Sequence, residues 1–145
     1  MLKQAQMQTK SALTELHQVL SWFNQLDHKK VPTKVWIQCQ TALAEGFTNA
    51  VRHAHKGMSP ETPIQIEVII QEDRLEIRIW DDGSFFDLDQ TLQKMTEVTN
   101  PDATGGRGLI LLHRIADRLQ YLRTDDDRNC LSIVKNYPTM PSSCP

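Results

Sequence analysis

Cysteine is scarce in this chain, with Cys39, Cys130 and Cys144 making three. Odd in number and far apart, they supply neither a disulfide framework nor a CxxC metal pair. They read as reduced thiols of a cytosolic protein, with no place for zinc. A charge bias is also missing: the formal net charge of -2 gives no electrostatic case for nucleic acid or an anionic membrane. No apolar run has the length to cross a bilayer, and Met1 to Gln6 lack the apolar segment of a secretory signal. Internal repeats and a domain linker are absent too. What is present is an ordinary globular composition, 39% hydrophobic and 23% charged over 145 residues, enough for one domain with one core.

Several catalytic signatures are lacking as well. There is no Gly-Lys-Ser/Thr P-loop, no dinucleotide fingerprint after the first strand, no Gly-x-Ser-x-Gly, and no protein-kinase pair of His-Arg-Asp and Asp-Phe-Gly. Conventional kinase and hydrolase readings are therefore poor.

The pattern that is there predicts alternating elements. Leu2 to Lys10 alternates weakly and fits a strand at a sheet edge. Leu13, Leu16, Leu20, Phe23 and Leu26 recur at helical spacing behind a candidate N-cap, Ser11, which predicts a helix over 12–26. His17 and His28 read as surface residues. Pro32 or Thr33 opens a longer helix to about His55, closed by Gly57 in a left-handed cap. Ile64, Ile66, Val68 and Ile70, then Leu75, Ile77 and Ile79, alternate as an antiparallel hairpin with one buried face. A short helix or ordered loop is expected over 88–99, then a glycine-dense loop and a helix through Leu109, Leu112 and Ile115. Terminal strands are expected near 119–122 and 131–135, and a flexible tail from Tyr137.

The long helix carries the first chemical signal. Val35, Trp36, Cys39, Leu43, Phe47, Ala50 and Ala54 fall on one side, while Glu45, Asn49 and His53, each four apart, stack on another. The plain reading of that second stripe is a solvated face. The chemical one is that a carboxylate can accept a proton and an amide oxygen can ligate a hard cation such as magnesium. Asp81-Asp82-Gly83 puts a carboxylate and a glycine at a strand's end, a common position for ligand contact. Gly105-Gly106-Arg107-Gly108 ahead of a helix can approach an anion, with Arg107 supplying charge, although glycine-rich turns before helices are common.

Order and spacing bring these together. Glu-x-x-x-Asn-Ala-x-x-His (45–53), a hairpin, Asp-x-Gly (81–83) and Gly-Gly-Arg-Gly-Leu (105–109) resemble the N, G1 and G2 boxes of the Bergerat-fold ATP-binding family, which includes histidine-kinase catalytic domains and DNA gyrase. The chain is most similar to the small serine-kinase anti-sigma factors of bacterial partner-switching systems. The bare-domain length, the continuation Gly-Ser-Phe-Phe-Asp and the run Gly-Gly-Arg-Gly-Leu-Ile-Leu-Leu favour that branch. The resemblance implies an α+β two-layer sandwich, its mixed, mainly antiparallel sheet covered on one face by helices, in a single domain over 1–136 with a tail over 137–145.

It further implies an ATP-dependent serine/threonine kinase of the cytoplasm that binds a sigma factor and phosphorylates an anti-sigma antagonist, working as a homodimer. By match of position, Asn49 would bind magnesium bridged to ATP and Glu45 would be the general base. Asp81 would accept from the adenine amino group, and Gly83 would admit the purine. Gly105, Gly106, Arg107 and Gly108 would form the phosphate lid. His53 reads better as a packing or orienting residue than as a ligand. Ser84-Phe85 stands where many relatives place a further glycine. Only Ser132 offers a counterpart to a threonine that many carry on a late strand. Two other readings remain: a nucleotide-binding switch without catalysis, which the intact Glu45 disfavours, and a histidine-kinase catalytic module acting in trans, which lacks a phosphoacceptor helix pair.

Overall fold

A computed structural model describes residues 3–85, 88, 90 and 107–139, with the backbone alone at Arg107. Five strands, β1 Lys3–Lys10, β2 Pro63–Ile70, β3 Arg74–Asp81, β4 Arg118–Arg123 and β5 Asn129–Asn136, form one sheet in the order β1-β2-β3-β5-β4. Every described pairing is antiparallel. Among the described residues the second layer holds the helices α1 Leu16–Asn24, α2 Thr33–Asn49 and α3 Arg107–Ile115. The α+β sandwich expected from the motif order is therefore present.

The period of two decides which face the helices cover. Ile64, Ile66 and Val68 of β2, Leu75, Ile77 and Ile79 of β3, and Leu131 and Ile133 of β5 are all buried, alongside Phe23, Leu43 and Phe47 of the helices. Each such side chain withdrawn from water contributes about 1.5–3 kcal/mol. The register sets Ile66 opposite Ile79, and Ile79 opposite Leu131, so these residues form continuous rows beneath α2. A Cβ at Gly46 would lie 2.6 Å from Ile79 Cδ1, so the absent side chain is what lets α2 approach the sheet this closely.

The opposite face is polar. There Glu67, 4% exposed, accepts from the amides of Gln4 (2.5 Å) and Gln6 (2.7 Å) and from Arg78 Nη1 (3.3 Å). These donors satisfy a carboxylate that its neighbours have largely removed from water.

Several local expectations are refined. The first helix begins as a 3-10 turn, Leu13–Glu15, and Ser11 does not cap it through its side chain; the Ser11 N–H donates to Thr62 O. His28 is half-buried rather than a free surface residue. Trp36 is stacked between it and Phe23, with ring centroids 4.0 Å apart on each side. Helix α2 passes into a π turn over Ala50–Ala54 before Gly57, at φ 82°, closes the segment as expected. Tyr137, expected as the first residue of a tail, is 5% exposed; its N–H donates to Asp73 O at 3.0 Å and its hydroxyl to Gln71 O. Apart from Leu88, which is buried in the core, and Gln90, the segment expected as a helix or loop over 88–99 lies outside the described residues.

Candidate functional site

Glu45 and Asn49 lie one turn apart on α2, yet their surroundings differ. Glu45 is half-buried, whereas Asn49 is 7% exposed, and its Oδ1 has no hydrogen-bond partner among the described residues. A buried amide oxygen without a donor costs about 1–3 kcal/mol, and this one sits beside an open space. A cavity of about 250 Å³ runs along the helix, walled on one side by Glu45, Thr48, Asn49, Arg52 and His53 and on the other by Gly108, Leu109 and Leu111 of α3. A Cβ at Gly108 would come within 2.4 Å of Glu45 Oε2, so a side chain there would push that carboxylate from its place against the first turn of α3. The start of a helix also presents unpaired N–H groups and a positive dipole end, both suited to an anion.

The second half of the site is built around Asp81, 2% exposed at the end of β3. Its Oδ1 accepts from the Gly83 N–H (2.9 Å) and Asn129 Nδ2 (2.8 Å), and its Oδ2 accepts from the Tyr121 hydroxyl (2.9 Å). Burial, then the charge of Asp81 and its hydrogen bond, push the Tyr121 hydroxyl's pKa well up, so it remains a donor. A carboxylate offers about four lone-pair directions, and three donors leave one for a further N–H. Asn129 Nδ2 also donates to Gly83 O at 2.8 Å, which ties the Asp82–Gly83 turn to β5. On its other side Gly83 lies against α2's end, where a Cβ would fall 1.9 Å from Ala54 O.

Comparison with known proteins bears on this geometry. The profile of the histidine kinase-like ATPase domain matches residues 9–135. The chain belongs to this family. Among curated proteins it is similar to the serine-protein kinase RsbW of Listeria monocytogenes, 38% identical over 81 residues, which is 52% of this chain and 51% of that protein. The RsbW serine-protein kinases of Bacillus pumilus and Bacillus subtilis are 35% and 36% identical over 85 residues, 54% of this chain and 52% of each relative. The matches thus span about half the length of these relatives.

Within this histidine kinase-like ATPase domain, the motif residues fall into two groups. Glu45, Asn49, His53 and Gly108 share the cavity, while Asp81 and Gly83 do not line it; Gly83 packs against Ala54, the residue after His53. His53 is exposed on the cavity wall rather than packed. Gly105 and Gly106 lie outside the described residues, as does the side chain of Arg107, whose backbone opens α3. Ser132 is on the opposite face of the sheet, donating to Glu76 Oε2 at 3.2 Å, and has no place near Asp81.

The residues missed from sequence are Thr48, Arg52, Tyr121 and Asn129. The first two follow Glu45 and Asn49 by three positions and widen the same helical stripe. For Asn129 the signal was a polar residue at an inward position of the Asn129–Leu131–Ile133 alternation, directly across from Asp81. No helix among the described residues is long and apolar enough to cross a membrane.

Proposed function

We propose that this chain binds ATP with magnesium and transfers the γ-phosphoryl group to a serine or threonine of a partner protein. The observation that carries this reading is the 250 Å³ cavity lined by Glu45, by Asn49, whose Oδ1 is buried without a partner among the described residues, and by the first turn of α3. Asn49 Oδ1 suits a hard cation, which takes oxygen ligands. Bound there, magnesium supplies charge neutralisation to the phosphates. Glu45 takes the proton of the attacking hydroxyl as that oxygen bonds to the γ-phosphorus. The bond to the β–γ bridging oxygen breaks, and ADP leaves with its electron pair. Asp81 receives the adenine amino group at its remaining lone pair, and Gly105, Gly106, Arg107 and Gly108 close over the phosphates.

The resemblance to serine-kinase anti-sigma factors, and the serine-protein kinase named among the relatives, support a regulatory role. We take the partners to be a sigma factor, which is sequestered, and a small antagonist protein, which is phosphorylated. The kinase domain includes Tyr137, which packs into the core, and works in the cytoplasm as a homodimer. Incubation with labelled ATP and candidate partners tests this. Phosphoserine on a partner is the expected product. Phosphohistidine would assign the chain to histidine-kinase chemistry instead, and binding without transfer would make it a nucleotide-gated switch.

A further inference from the structure

The Asp82–Gly83 turn is held by a histidine that the proposed reaction does not use. The π turn carries the His55 N–H back five residues to Ala50 O (2.9 Å), and the ring, 3% exposed, lies beneath the turn. His55 Nε2 accepts the Asp82 N–H at 2.8 Å. The neighbouring Ala54 carbonyl is the group that Gly83 packs against, so two consecutive residues of the turn rest on two consecutive residues at the end of the π turn. The next N–H along, that of Gly83, goes to Asp81 Oδ1. His55 thus reaches the Asp81 carboxylate through one residue, Asp82.

This contact demands a particular protonation state. The donor is a backbone N–H, so Nε2 must carry the lone pair and the ring proton must sit on Nδ1, which is buried without a partner among the described residues. A protonated ring would turn an Nε2–H toward the Asp82 N–H, donor against donor, and bury a charge as well. We propose that His55 is a positioning residue of the nucleotide site: its neutral ring holds the turn that presents Asp81, and its protonation releases that turn.

The charged groups bearing on the ring are Asp81 and Asp82 at the end of β3, and both favour the cation; burial outweighs them and lowers the pKa below its ordinary value. From β4, Tyr121 and Arg123 reach the same turn through Asp81 Oδ2 and Gly83 O. The ring is therefore neutral at pH 7, and the turn loosens as pH falls below the ordinary histidine range. The consequence for nucleotide rests on the reading of Asp81 given above.

The test compares wild type with His55→Gln, whose amide oxygen can accept at the Nε2 position and does not titrate. ATP affinity is measured by calorimetry at constant magnesium from pH 7.5 to 5.0; protonation of the nucleotide itself is common to both proteins and cancels in their ratio. The wild-type Kd is expected to rise about fivefold or more relative to the variant over this range. Parallel profiles would overturn the proposal. A second measurement needs no nucleotide. In unliganded wild type the Asp82 amide resonance should shift as the His55 ring titrates, and an amide that ignores the ring overturns the proposal whatever the variant's folding. If wild type fails to bind ATP even at pH 7.5, the reading of Asp81 is wrong, and the amide titration alone then decides the role of His55.

Discussion

Replacing Gly83 by alanine separates two reasons for a glycine at that position. The motif resemblance implies that Gly83 leaves room for a purine. The geometry adds a reason that needs no ligand, because a Cβ would lie 1.9 Å from Ala54 O and 2.5 Å from Ala54 C. Both are backbone atoms, and a real Cβ contact below 3.0 Å essentially never occurs, so the turn or the end of α2 must retreat by about 1 Å. Such a shift strains three hydrogen bonds at once: Gly83 N–H to Asp81 (2.9 Å), Asn129 Nδ2 to Gly83 O (2.8 Å) and Asp82 N–H to His55 (2.8 Å). At about 1 kcal/mol net for each, Gly83→Ala should lose about 2–3 kcal/mol of stability. Urea unfolding of the nucleotide-free protein reads this directly as a lower midpoint at unchanged slope. ATP affinity should fall about tenfold or more as Asp81 is displaced. Stability within about 0.5 kcal/mol of wild type, with unchanged affinity, would refute the packing argument. Unchanged stability with lost affinity would instead return the glycine to the purine's account.

Three further substitutions test the proposed chemistry. Asn49→Ala should abolish magnesium-dependent ATP binding, and equal heats of binding for variant and wild type would remove the metal from Asn49. Glu45→Gln should leave ATP affinity intact and slow phosphoryl transfer about a hundredfold or more, as expected on losing a general base; transfer at the wild-type rate would take Glu45 out of the mechanism. Asp81→Asn should weaken ATP while affecting GTP little, since only adenine offers an amino group there. It should also cost about 1–3 kcal/mol of stability, because an amide N–H2 now faces one of the three donors around Asp81. Equal losses for both nucleotides, measured on folded protein, would dismiss adenine recognition.

Much was legible without coordinates. The alternation from Ile64 to Ile70 and from Leu75 to Ile79 defines a buried face by itself, because successive strand side chains point to opposite sides. Helical spacing likewise placed Trp36, Cys39, Leu43 and Phe47 in the core, and Gly57 adopts the positive φ expected of it. Glu45 and Asn49 were placed on one stripe, and the stripe does line a cavity.

What tertiary structure alone decided is which neighbours those residues meet. Periodicity assigns a residue to a face of its own element, but not to the element packed against that face. Thus Asn49 and α3 come to face one cavity, and Asn129 and Tyr121 reach Asp81 through strand register. His55 lies beneath Asp82 in the same way, after a π turn that no spacing rule announces. Local chemistry is set by the chain's own order. The partner of each polar group is set by register and packing between segments up to 66 residues apart.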